Sequence, residues 1–514
     1  MSHLQSRLSL LAPVVLRGLQ RGIEKESLRV RPDGALVTTP HPRSLGAALT
    51  HPHITTDFSD AQRERITGVQ STAAACLDEL SHLHQFVYRN IGDELLWCGS
   101  MPCNLPDENA VPIARFGRSN VGRAKTVYRT GLSHRYGRRM QLISGIHYNF
   151  SLAENSWPVA DFRDANEAYF ALIRNFRRHA WLLLYLFGAS PAVCESFVEG
   201  RAHELRELSP GTLHLPHATS LRMGRLGYLS AAQDALAVSY NDLPSYAASL
   251  EDALTKPYPA YESIGIRDGE DYRQLATSLL QIENEFYSTI RPKRVVRRGE
   301  RPLRALRERG VQYVEVRAMD LDPFSAIGIT AQTARFLDVF LLHCLLSDSP
   351  PDTPQEIAAI GRNKHRVAAR GREPGLWLER GDERTALREW SAHLLAESQP
   401  IAAALDAAHG SNEYREALSA AARTAADPES LPSARVLSAM RQHYGGSYFH
   451  FALEHSLRHR QALVGQPLAA DLESSLRRIG DESLDRQRAI EAEDDLPFET
   501  FRQQYLSPES LRGQ

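Results

Sequence analysis

Six residues spread between positions 24 and 315 of a 514-residue chain carry side chains suited to hard divalent cations: Glu24, Glu26, Asp57, Glu64, His147 and Glu315. Five carboxylates and one imidazole form an oxygen-rich donor set that fits Mg²⁺, whereas zinc would ask for more histidine or cysteine. Glu24 and Glu26 stand two apart in "GIEKESLRV" (22–30). In a strand that spacing puts both carboxylates on one face, where they repel unless a cation lies between them. Two basic stretches supply the opposite charge. "FGRSNVGRAKTVYRTGLSHRYG" (116–137) sets Arg118, Arg123, Lys125, Arg129 and Arg135 among glycines, and "IRPKRVVRRGERPLRALRERG" (290–310) holds nine Arg or Lys against two Glu. Carboxylates for Mg²⁺ beside arginines for phosphate and carboxylate groups are the parts of nucleotide-dependent phosphoryl transfer, which points to ATP-driven chemistry.

Strands must position these groups. In "ISGIHYNFSL" (143–152) Ile146, Tyr148, Phe150 and Leu152 alternate with His147, Asn149 and Ser151, so a core face is backed by a polar one. "VQYVEVRAMD" (311–320) repeats the pattern, with Val314 and Val316 against Tyr313, Glu315 and Arg317. A single polar face can simply meet water; two such strands suggest a lined cavity. The segment "TTDFSDAQRERITG", with Asp57 and Glu64, reads equally as strand or as a short capped helix. Helical periodicity marks 73–92, 165–188 and most of the region from 384 onward. Strands drawn from distant parts of the chain with helices between them predict an α+β fold: a mainly antiparallel sheet, one face open to a ligand, flanked by helices. The polar strands can share one site only if their whole span is one unit. The expected organisation is therefore a catalytic cradle over 1–348, with a mainly helical region over 349–514 packed on it rather than independent.

Bulk properties narrow the function class. The net charge of −2 and pI near 6.9 give no global field for nucleic acid or membrane. The longest apolar run, "AWLLLYLF" (180–187), is too short to span a bilayer, so a cytoplasmic protein is expected. Five cysteines, few and odd in number, fit reduced thiols better than a disulfide framework. Only Lys25, Lys125, Lys256, Lys293 and Lys364 are lysines, which makes each informative, and three of them fall in the segments above. "GRSNVGRAKT" has the glycine interval of a phosphate loop but its Lys-Thr pair comes two residues late. The basic run at 290–310 lacks the interleaved aromatics of a nucleic-acid surface.

Taken in order, "GIEKESLRV", "HITTDFSDAQRERIT", "SNVGRAKTVYRTGLSHRYG", "MQLISGIHYNFSL", "YLFGASPAVC", "ATSLRMGRLGY", "QIENEFYSTIRPKR" and "YVEVRAMDLDPFS" resemble the glutamate–cysteine ligases of the gammaproteobacterial type. The resemblance runs from about residue 17 to 345, more weakly to "GREPGL" (371–376). It implies formation of γ-glutamylcysteine from glutamate, cysteine and ATP through a γ-glutamyl phosphate, the first step toward glutathione. The implied fold is a cradle of antiparallel strands related to the glutamine synthetase catalytic domain. Carried over by position, Glu24, Glu26, Asp57, Glu64, His147 and Glu315 surround two or three Mg²⁺ ions, with Mn²⁺ as a substitute. Arg317 faces the transferring phosphoryl group and is the catalytic residue. Arg129 and Arg222 hold amino-acid carboxylates, and Tyr128, Leu132, Gln141, Tyr228 and Tyr287 line the cysteine pocket. No motif marks the adenine site. The resemblance further implies a monomer, small-molecule partners only, and feedback inhibition by glutathione.

Two departures stand out. Gly68 occupies a place where the family has proline, and Arg63 and Arg65 flank Glu64 where apolar residues are usual, which bears on local packing rather than chemistry. The rival functions are a ligase using another amine acceptor, a binding protein that has lost catalysis, and a nucleic-acid binder. Retention of every expected acid and of Arg317 argues against the second.

Overall fold

The computed structural model describes residues 3–227, Gln233 and residues 236–512. Alternation along "QRGIEKESLRV" builds the central strand, β1 (Gln20–Val30). On one side it pairs antiparallel with β3 (Gln62–Ile66), which pairs with β2 (Ile54–Thr56); on the other it pairs with β5 (Ile146–Ser151). The far end of β1 also takes the short β4 (Leu95–Leu96). Beyond β5 come β7 (Tyr313–Met319) and, at the edge, β6 (Ile290–Lys293). All pairings in this seven-stranded sheet are antiparallel, with the order β6-β7-β5-β1-β3-β2. The ambiguous segment at Asp57 and Glu64 is therefore the β2–β3 hairpin rather than a helix.

Register fixes which residues share a face. Glu24 lies opposite His147 and Glu26 opposite Glu64, while Glu315 lies opposite Asn149. One face thus collects the acids and the histidine. Behind it, Tyr148, Phe150, Val314 and Val316 are fully buried against α3 (Ala165–Phe187) and α5 (Ala331–Leu346). Side-chain caps start several helices: Thr72 accepts from Ala75 at α1 (Ala73–Asn90), Ser119 from Gly122 at α2 (Asn120–Tyr136), and Thr330 from Thr333 at α5. The glycine-spaced "GRSNVGRAKT" is accordingly the capped entry to α2, not a phosphate loop. The basic run continues from β6 into α4 (Pro302–Arg309), where Arg301 pairs with Glu283, Arg307 with Glu251 and Arg309 with Glu300. Its charge is largely met inside the protein.

After residue 350 the chain is mainly helical, with one exception: Trp377–Arg380 and Glu383–Ala386 form a hairpin leading into α6 (Leu387–Glu397). The later helices contact the cradle directly. In α7 (Tyr448–Val464), Tyr448 donates to the Met101 carbonyl at 3.0 Å, and Ser483 in α8 (Ala470–Ala492) accepts from the Ala47 amide at 2.8 Å. Among the described residues no helix is long and apolar enough to cross a membrane. Cys103 and Cys194 are joined by a disulfide, which corrects the expectation of five reduced thiols; Cys76, Cys98 and Cys344 are free and buried. The Cα atoms of Cys103 and Cys194 are 5.1 Å apart although 91 residues separate them in sequence, a proximity that a count of cysteines cannot reveal.

Candidate active site

His147, 5% exposed, is the hub of the acidic face. Its Nδ1 is 3.2 Å from Glu24 and 3.9 Å from Glu315, and its Nε2 is 4.0 Å from Glu26. Donor atoms of Glu24, Glu64 and His147 all lie within 4.8 Å of one another. Asn149 donates to Glu24 at 2.9 Å, and the Gly145 amide donates to Glu26 at 2.8 Å, so both carboxylates of the pair in β1 are oriented from β5 and its approach. Arg317 donates to Glu315 at 3.1 Å, and Lys293 of the edge strand reaches the other oxygen at 3.2 Å.

These neighbours split the carboxylates electrostatically. Burial opposes ionisation of Glu315, but Lys293 and Arg317 outweigh it and hold the acid well below its ordinary value. Burial likewise opposes ionisation of Glu24, and the hydrogen bond from His147 overcomes it. Glu64 is pushed well above its ordinary value, first by burial and then by Glu24, Asp57, Glu26 and Glu315. Burial also raises Glu26. Carboxylates crowded in this way, two of them disfavoured as anions, fit a site that a hard divalent cation completes. Arg317 is held firmly cationic: burial works against its charge, and Glu315 and Glu26 more than offset it.

Of the remaining expected residues, Arg222 and Tyr287 line a cavity with His147 and Arg317, whereas Asp57, Tyr128, Arg129, Leu132 and Gln141 do not line it. Asp57 sits at the rim in the β2–β3 turn, and Arg129 of α2 packs over Phe116, 4.4 Å from its ring centre, with Nη2 3.9 Å from Asp57. Tyr128 is buried, and Leu132, one turn further along α2, is buried in the same core cluster. Tyr287 donates to Gln141 at 3.1 Å. Arg222 lies across Gly145 and donates to the Arg317 carbonyl at 3.0 Å. A Cβ at Gly145 would overlap that guanidinium, so the glycine is what lets Arg222 reach the sheet. Arg222, His147, Tyr287 and Arg317 line one cavity together with Lys364. Tyr228 lies outside the described residues.

Several site residues escape a reading of the sequence. Lys364 comes from the helical region beyond residue 349, Lys293 pairs with Glu315, and Gly145 acts by having no side chain. Lys293 carried the one usable signal, as a rare lysine inside a matched segment. Lys125, another of the rare lysines, lies near Glu64 and Asp57 and is pushed down to about 8 by burial and Arg129. A separate cavity of about 590 Å³ opens beside Glu24, lined also by Gly22, Asn149, Tyr313, Trp157, Val69 and Val295.

An acid-lined antiparallel cradle edged by arginines is the frame of an enzyme, and comparison with known proteins makes that enzyme a ligase. The family model for glutamate–cysteine ligase matches residues 9–367. Curated glutamate–cysteine ligases from Alcanivorax borkumensis and Azotobacter vinelandii are 46% and 49% identical, over 98% and 97% of this chain and 100% and 96% of theirs. The crystal structure of glutamate–cysteine ligase from Francisella tularensis in complex with AMP superposes with a TM-score of 0.90 at 37% identity, covering 95% of this chain and 97% of that one. The chain belongs to the glutamate–cysteine ligase family. The likeness extends through the helical C-terminal region, well beyond the segment that the motifs alone matched.

Proposed function

We propose that this chain joins the γ-carboxylate of glutamate to the amino group of cysteine at the expense of ATP, through a γ-glutamyl phosphate. The observation that carries the reading is the convergence of Arg317, His147 and Glu315 between two cavities, one beside Glu24 and one containing Arg222 and Tyr287. ATP enters the first cavity, its phosphates toward Glu24 and its base toward Val69, Trp157 and Val295; the Francisella relative's complex with AMP supports nucleotide use. The amino acids enter the second. The cradle is read as glutamine-synthetase-like, with the region from 349 onward as its buttress, acting as a monomer open to inhibition by glutathione.

A carboxylate is a poor electrophile, so its γ-oxygen first attacks the terminal phosphorus of ATP and ADP departs. Arg317 faces the charge that accumulates on the moving phosphoryl group. A planar fork fixed by Glu315 meets two oxygens at once, which a lysine cannot do. The cysteine amine then attacks the acyl carbon, and phosphate leaves with the oxygen that came from glutamate. Arg129 and Arg222 hold the α-carboxylates, while Tyr287, held by Gln141, shapes the acceptor wall. Glu24, Glu26, Glu64, Glu315 and His147, with Asp57 at the rim, would hold divalent cations, Mg²⁺ or Mn²⁺, whose chemistry is to neutralise the phosphate oxygens.

The test is ADP release by purified protein with ATP, Mg²⁺ and glutamate, comparing cysteine, 2-aminobutyrate, other amines and no acceptor. Cysteine-dependent release with γ-glutamylcysteine identified by mass supports the reading. Release with a different amine alone would discard the cysteine pocket.

A further inference from the structure

Behind the sheet, on the side away from the acids, α3 and α5 bring together a second set of metal-ligating side chains. A ring nitrogen of His179, a ring nitrogen of His343 and the Cys344 sulfur lie within 4.8 Å of one another. His343 is 2% exposed and Cys344 is fully buried as a free thiol. The Nδ1 atom of His179 is buried without a hydrogen-bond partner, an orphan that a folded protein rarely keeps without a use. Glu397 of α6 accepts from Nε2 of His343 at 3.2 Å, and its other oxygen lies 3.2 Å from His393. A carboxylate behind an imidazole is the arrangement that orients a ligating histidine and raises its basicity. Trp390 of α6 packs edge-on against His179, with ring centres 6.0 Å apart, and limits its ring motion.

We propose that His179, His343 and Cys344 form a binding site for a divalent transition metal, with Glu397 holding His343 and one coordination position open to water. Two imidazoles and a thiolate are borderline and soft donors, a set that selects Zn²⁺ or its analogue Co²⁺ rather than the Mg²⁺ suited to the carboxylates of the sheet. Donors about 2.0–2.3 Å from a tetrahedral ion stand roughly 3.4–3.8 Å apart, so donor atoms that all lie within 4.8 Å of one another are brought to an ion by small side-chain shifts. One thiolate and the nearby Glu397 carboxylate offset the two positive charges. Nothing in the ligase reaction uses this site, and its place between α3, α5 and α6 gives it a structural role, tying the helices that support the sheet.

Cobalt titration of the full-length protein after chelator treatment tests this, because a cysteine–cobalt bond gives a near-ultraviolet charge-transfer band that a carboxylate site cannot give. The expected result is such a band saturating at one equivalent, displaced by Zn²⁺, abolished in Cys344→Ser and shifted to at least tenfold higher Co²⁺ in His179→Gln. Glu64→Gln, which alters the sheet's acids, keeps the band. Absence of the band in the wild-type chain, or its survival in Cys344→Ser, overturns the proposal. If Cys344→Ser fails to fold, the His179→Gln titration decides, with an unchanged saturation curve counting against the site.

Discussion

Behind β5 and β7 the catalytic sheet rests on hydrocarbon: Tyr148, Phe150, Val314 and Val316 pack on α3 and α5, where Phe176 and Phe340 meet with ring centres 5.7 Å apart. Behind β1 and β3 it rests on buried cations. Lys25, Arg63 and Arg65 alternate with the acids of the front face, Arg29 lies further along β1 on the same side as Lys25, and all four are between 0% and 4% exposed. Arg29 is paired with Glu94 at 2.6 Å, but Arg63 and Arg65 each leave buried guanidinium nitrogens without partners. Positive charge facing away from the acids lies only a strand's thickness from them; burial lowers Arg65 to about 10, and Tyr88, Glu64 and Glu26 work against that. One half of the sheet is therefore stabilised by burial of apolar surface. The other uses costly buried charge to moderate a dense cluster of carboxylates.

The contrast predicts different failures. In the apolar half, Phe340→Ala should lower stability by about 3–5 kcal/mol, the cost of a core cavity, with little change in KM for the folded fraction. Chemical denaturation and steady-state kinetics of one preparation check both. On the front face, Arg317→Lys should lower kcat by a hundredfold or more, the loss of about 3 kcal/mol of transition-state stabilisation, while the melting temperature stays close to wild type. Near-wild-type turnover would remove Arg317 from the reaction. In the cation-backed half, Arg65→Met removes a desolvated charge behind the acid site. It should tighten divalent-metal activation by on the order of 1 kcal/mol and leave stability equal or higher, because an apolar residue replaces an incompletely paired cation. Weaker metal activation in this variant would mean that the arginine acts through packing.

The smallest effect is a pH dependence that belongs to the same half. His51 is pushed down to about 4 by burial, then by His53 and Arg486. His41 and His84 are held well below the usual histidine value by burial, then by Arg63 and Lys25 respectively. The unfolded chain binds protons at these histidines near pH 6.5, whereas folded His51 does so only near 4. Stability is therefore complete above about 6.5 and declines as pH falls from there toward 4. Hydrogen exchange should show β1–β3 loosening over that window, together with α3, where burial holds His179 well below the usual histidine value; unchanged protection of β1–β3 would contradict the assignment.

Much of the front face is legible in the chain because strand alternation has a period of two and acids spaced by two must share a face. That reasoning finds β1, β5 and β7 and groups Glu24, Glu26, His147, Glu315 and Arg317. It stops at the back of β3, where Arg63 and Arg65 stand in place of the family's usual apolar residues and are nonetheless fully buried. Burial of a charge depends on which element covers it, here the segments bearing His41, His84 and Tyr88, and no local pattern encodes that. The Cys103–Cys194 disulfide, the hairpin at 377–386 and Lys364 in the Arg222 cavity were hidden for the same reason: each depends on contacts between distant segments or on a short strand pair inside helical composition. The cavity beside Glu24 has no motif because scattered segments each contribute only a few residues to it.

The proposed reaction passes through an acyl phosphate formed between the two cavities. Glutamate carrying ¹⁸O in its γ-carboxylate, incubated with cysteine, ATP and Mg²⁺, tests it directly. One ¹⁸O atom is expected in each phosphate released. Phosphate free of ¹⁸O alongside γ-glutamylcysteine would show that the carboxylate was never phosphorylated, and would contradict the role given to Arg317.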